Sequence, residues 1–150
     1  MEKIKIHTMI EIAGKPEEHV KETIDKIINI IKENKKLNIL KKEISSIDKT
    51  EVPSPSNPDQ NVEIFSGFTE LELELPNFDE LIQFCFTFMP SSIEIIEPEE
   101  LKISQGDLEA SLGDLLGKLH ENSRIIMEYQ ALKQQIIKAQ QQRANEQKKN

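Results

Sequence analysis

Residues 71–98 read LELELPNFDELIQFCFTFMPSSIEIIEP, which spells strand, helix, strand. Leu71, Leu73 and Leu75 alternate with Glu72 and Glu74, the period-two pattern of a strand with one apolar and one wet face. Pro76-Asn77 breaks that strand. Asn77 followed three residues later by Glu80 is a capping-box-like pair that opens a helix. Pro90 stops the helix. Ser92 to Ile96 is a second strand, ended by Glu97-Pro98.

The first strand of the chain comes from residues 3–13. There Ile4, Ile6, Thr8, Ile10 and Ile12 alternate with Lys5, His7, Met9 and Glu11, and β-branched residues at period two suit a half-buried strand. Gly14-Lys15-Pro16 breaks it. Pro16 suits the start of a helix, and Glu17 and Glu18 complement its positive end. Val20, Ile24, Ile27, Ile28 and Ile31 then share one helical face. Residues 37–47 read as a second strand. Residues 50–61, TEVPSPSNPDQN, hold three prolines and little that packs, so a solvated loop is expected. Residues 61–75 read as a third strand, with Gly67 marking a bulge.

The order strand, helix, strand, strand, helix, strand is the ferredoxin-like split pattern. The expected fold is therefore α+β: a ferredoxin-like βαββαβ unit over residues 1–104, with a four-stranded antiparallel sheet and both helices on one face. Residues 105–150 form a long helical extension ending in a frayed basic tail. Leu112, Leu115, Leu119, Ile126, Tyr129 and Ile136 make an imperfect heptad-like stripe along it, weakened by Asn122 and Lys133. A helix of about 35 residues would span roughly 50 Å, longer than a domain of this size.

The totals exclude several classes. The chain has 150 residues, a net charge of -8 and 37% hydrophobic residues, which suits one domain plus an appendage. The single cysteine, Cys85, rules out an internal disulfide and a multi-cysteine metal centre. The N-terminal residues lack a signal-peptide pattern, and no apolar run reaches the ~18 residues of a membrane span, so a cytoplasmic protein with no membrane contact is expected. From Arg124 to Asn150 six basic residues outnumber two acidic ones. That tail could favour nucleic acid weakly, against the repulsion of the acidic remainder.

No catalytic motif is present, and no enzyme, cofactor or metal is expected. His7, His19 and His120 lack ligand partners at metal-binding spacing. No serine sits in a nucleophile elbow. Two candidate sites remain. Phe84, Phe86 and Phe88, with Phe78, Leu81, Ile82, Cys85 and Met89, spread apolar groups over about 200° of the second helix, more than the ~100° stripe a sheet covers. The surplus could meet the C-terminal helix, a second copy, or a ligand. At the loop edge, Gly14 and Lys15 precede a helix N-terminus, and the expected topology sets Ser91 and Ser92 beside them. Together they could hold a small anion, although the pattern is not a Gly-rich phosphate loop.

The stretch from Phe78 to Leu119, with Phe78-Asp79-Glu80-Leu81-Ile82 opening a helix, Ile93-Glu94-Ile95-Ile96-Glu97-Pro98-Glu99-Glu100-Leu101 supplying a strand and its exit, and a leucine-rich helix after it, resembles the ferredoxin-like C-terminal extension (WCX) of transcriptional regulators that bear a WYL domain. The resemblance spans about 45 residues, and Met89-Pro90-Ser91-Ser92 departs from the glycine-containing turn usual there. It implies a ferredoxin-like fold with a dimerising or regulatory role, and no DNA binding by this chain. The chain also resembles small archaeal proteins with no assigned activity. Three functions are thus expected in order: a non-enzymatic interaction or regulatory module, forming a homodimer or binding a helical protein through the second helix and a C-terminal coiled coil; a sensor of a small anion at the loop edge; and an accessory protein touching nucleic acid or the ribosome through the tail.

Overall fold

A computed structural model of the chain describes residues 3–147. The elements run β1 (Ile4–Gly14), α1 (Glu17–Glu33), β2 (Asn38–Ile44), β3 (Asp48–Pro53), β4 (Asn61–Leu75), α2 (Phe78–Phe88), β5 (Ser92–Glu97) and α3 (Gln105–Gln147). They fall into two units, one up to Ile103 and one from Ser104.

The first unit is an antiparallel sheet in the order β2-β4-β1-β5, with β3 also pairing to β4. Setting β3 aside, this is the ferredoxin-like order. The register of the two central strands explains the core. Ile4 pairs with Leu75, Ile6 with Leu73, Thr8 with Leu71 and Ile10 with Thr69. All eight point to one face and are buried. Val20, Ile24, Ile28 and Ile31 of α1 and Leu81 and Phe84 of α2 close over that face. The two buried hydroxyls are satisfied by the flanking strands. Thr8 Oγ1 donates to the Ser92 carbonyl at 2.8 Å, and Thr69 Oγ1 donates to the Glu43 carbonyl at 3.0 Å. A buried hydroxyl without a partner would be costly; here each one ties an outer strand to the centre.

The sheet has five strands rather than the four expected. Part of the stretch read as a solvated loop, residues 50–53, lies in β3, and only residues 54–60 connect it to β4. The cause is the length of β4. Its 15 residues outrun β2, so the edge before Thr69 would stay open. Residues 48–53 carry on in the direction of β2 and pair with Asn61–Ser66. Pro53 is tolerated because it ends its strand. Ser45 spans the gap between β2 and β3: its amide donates to the Phe68 carbonyl and its hydroxyl accepts from the Phe68 amide, both at 2.9 Å.

Gly67 is not a bulge, since β4 stays in register with β1 through it. A Cβ there would lie 2.5 Å from Ile47 Cδ1 and 3.1 Å from Ile24 Cδ1. Glycine lets Ile47 close over the sheet beside the core residue Ile24.

The cap of α2 forms as the sequence suggests, with Asn77 Oδ1 accepting from the Glu80 amide at 2.9 Å. Glu80 itself turns away to pair with Lys36. The helix ends on Met89 in the left-handed region, φ 45°, where glycine is the easier residue.

The second unit is α3, one helix of 43 residues, about 64 Å long at 1.5 Å per residue. It continues through Gln147, past the point where fraying was expected. Lys148 and Lys149 of the expected basic tail lie outside the described residues.

Candidate interaction surface

The exposed apolar surface is concentrated on α3. Leu112, Leu115, Leu119, Ile126, Tyr129 and Ile136 are between 39% and 65% exposed. Leu108, Leu116, Ile125, Met127, Leu132 and Ile137 of the same helix are also exposed. Isolated helices gain little from their backbone alone, and most helical stability in proteins comes from burying an apolar face. A run of this size exceeds the singly scattered apolar residues that are ordinary on a folded surface.

The aromatic helix α2 is better covered than its sequence implied. Phe84 is only 2% exposed and sits in the core, its ring 5.1 Å from that of Phe88. Phe78, Cys85 and Phe88 pack against the same cluster and Phe86 is half-buried. Phe84 is therefore a core residue and not part of a surface. The reason is that α2 lies where α1, the end of β4 and Leu101 wrap it from several sides, so more than a single stripe is used. Burial pushes the Cys85 thiol above its usual range. Apolar exposure on the first unit is scattered instead, over Ile30 of α1, Leu40 and Ile44 of β2, Met89 after α2, and Ile93, Ile95 and Ile96 of β5.

The four loop-edge residues are not brought together. Gly14 lies opposite Phe65 at the far end of β1, while Ser92 lies opposite Met9. Five strand residues separate the two places, about 17 Å at the rise of an extended chain. The cause is unequal length: β1 has 11 residues and β5 has six, so the turn before β5 reaches only half-way along β1. Ser91 is also engaged there, its amide and hydroxyl both donating to the Met9 carbonyl. Lys15 remains beside the start of α1 without the two hydroxyls.

The uncovered face of the sheet carries the glutamate row of β4. Glu70, Glu72 and Glu74 stand opposite Met9, His7 and Lys5. Cations from flanking positions answer them. Lys3 binds Glu74 at 2.6 Å and Lys5 binds Glu97 at 3.0 Å. Lys41 binds Glu43 at 3.2 Å, and His7 stands 3.7 Å from Glu70. The Lys3 hydrogen bond holds the Glu74 carboxyl below the usual range, and Glu97 raises the Lys5 ammonium. These groups are solvent-exposed, so the pairs define a wet, internally balanced face and contribute little to stability. Among the described residues no three His, Cys, Asp or Glu side chains converge as a metal centre would. No described helix is long and apolar enough to cross a membrane.

A family model described as "MJ0538 family" matches residues 5–149. The chain belongs to the MJ0538 family. The match runs across both units, so α3 is part of what defines the MJ0538 family. A relative from Methanocaldococcus jannaschii, "Uncharacterized protein MJ0538", is 29% identical over 107 residues. That alignment takes in 70% of this chain and 36% of the relative, so the chain spans about a third of the relative's length. No solved structure matches the chain.

Proposed function

We propose that the chain is a non-enzymatic, cytoplasmic assembly module: the ferredoxin-like unit is a folded base, and α3 joins it to another helix. The observation that carries this reading is the exposed stripe of α3, which gives a 43-residue helix an apolar face from Leu108 to Ile137. The WCX-like run from Phe78 to Leu101, now lying on α2 and β5 of a ferredoxin-like sheet, supports a regulatory setting for such a module.

The test is the mass of the full chain in solution, by sedimentation equilibrium, beside a full-length Leu115→Gln/Ile136→Gln variant. The parent should associate and the variant should be a monomer with an unchanged melting transition. A parent that stays monomeric at its highest soluble concentration would refute assembly by self-association through α3.

A further inference from the structure

We propose that α3 pairs with α3 of a second copy in antiparallel orientation, about a two-fold axis at Asn122. This rests on the reading of α3 as an assembly element and adds its partner and geometry.

The first ground is the symmetry of the stripe. Leu108, Leu115, Asn122, Tyr129 and Ile136 recur at steps of seven residues, all within one continuous helix. Between them lie Leu112 and Leu119 on one side of Asn122, and Ile125 and Leu132 on the other. Counted outward from Asn122, large apolar residues stand at 3, 7, 10 and 14 residues in both directions. Steps of three and four keep side chains on one helical face. A pattern that reads the same from either end is what antiparallel self-pairing requires, because each half must then fit the opposite half. Leu119 meets Ile125 of the second copy, Leu115 meets Tyr129, and Leu112 meets Leu132. Parallel pairing places no such demand on the spacing.

The second ground is charge. From Gln105 to Glu121, Asp107, Glu109, Asp114 and Glu121 outnumber Lys118, for a net charge of -3. From Asn122 to Gln147, Arg124, Lys133, Lys138 and Arg143 outnumber Glu128 and Glu146, for a net charge of +2. Arg124 is held within its own helix by Glu121 and Glu128. Lys133, Lys138 and Arg143 carry no ion pair among the described residues. An antiparallel pair sets the acidic half on the basic half at both ends. A parallel pair would set like charge on like.

The third ground is the residue at the centre. An amide side chain both donates and accepts, so two copies of Asn122 can exchange hydrogen bonds across a two-fold axis. A polar residue at the centre of an apolar seam fixes register and orientation, because any slip leaves it unpaired.

The experiment uses the full chain in a Cys85→Ala background, so that each introduced thiol is alone. Leu112→Cys and Leu132→Cys chains are mixed and oxidised, and the cross-linked peptides are identified by mass. Antiparallel pairing gives the mixed 112–132 disulfide in excess over either symmetric one. Excess of the symmetric 112–112 and 132–132 disulfides would overturn the orientation while leaving the assembly reading intact. No disulfide beyond that formed in denaturant, with a monomeric parent, would overturn both.

Discussion

Phe84→Ala separates the two roles that an aromatic on α2 could have. The ring is 2% exposed and lies in the same cluster as Ile31, Leu37 and Leu81. Truncating such a buried phenylalanine removes its transfer energy and leaves a cavity, about 3–5 kcal/mol in all. A folded unit of this size is stable by roughly 5–15 kcal/mol, so the variant should be marginal. At about 4–8 °C per kcal/mol for a small domain, the melting transition should fall by more than 12 °C. Phe86 is half-buried on the same helix, and Phe86→Ala should cost no more than about 1 kcal/mol. Differential scanning calorimetry is the suitable assay, because the chain has no tryptophan and its single tyrosine is on α3. Sedimentation of both variants gives the complementary number. The core assignment predicts a large loss of stability for Phe84→Ala and an unchanged associated mass wherever the chain is folded. If Phe84→Ala melts within about 1 kcal/mol of the parent and loses association, Phe84 lies at an interface and the core assignment is wrong.

Three further outcomes follow from single contacts. Gly67→Ala should destabilise by no more than about 1 kcal/mol, the low end of the cost of overpacking, because its Cβ would fall 2.5 Å from Ile47 Cδ1, a terminal methyl that can swing aside; a loss of about 3 kcal/mol in a thermal melt would show instead that Ile47 is locked in place. Met89→Gly should stabilise by about 0.5–1 kcal/mol, the left-handed penalty less the extra chain entropy of glycine; a lowered transition in a thermal melt would contradict a left-handed Met89. Arg124 holds the Glu121 carboxyl below its ordinary 4.5, so this pair supports α3 above that pH and the support is lost as the pH falls through the lower folded value. Far-UV circular dichroism on acid titration should show helix loss that is shallower in Glu121→Gln, and identical acid profiles would remove the contact from the account.

The parts of the fold that repeat locally were legible. Alternation in residues 4–12 and 69–75 gave the two central strands and the face that each residue takes, since period two leaves no other arrangement once one face is apolar. The spacing of Val20, Ile24, Ile28 and Ile31 gave the buried side of α1. What stayed hidden depended on lengths of partners far apart in the chain. β3 has no apolar alternation of its own and forms because β4 overruns β2. The same kind of mismatch, β1 against β5, separates Gly14 from Ser92. Phe84 and Phe86 look alike in the sequence and differ only in what wraps α2. Gly67 was visible as an exception, but only the approach of Ile47 tells a close contact from a bulge.

The division of labour between the two units follows from how each treats its own groups. In the first unit the buried hydroxyls find carbonyls, Glu74 of the glutamate row finds Lys3, and among the described residues no buried side-chain polar atom lacks a partner. In the second unit Arg124 is answered within the helix by Glu121 and Glu128, but the exposed apolar groups are not covered. The sheet leaves no buried polar side chain unanswered among the described residues, whereas a helix some 64 Å long with its apolar face in water is incomplete in burial. Since the MJ0538 family pattern runs through residue 149, the incomplete part belongs to the family's common chain, and it is there, rather than at the loops of the sheet, that function should be sought first.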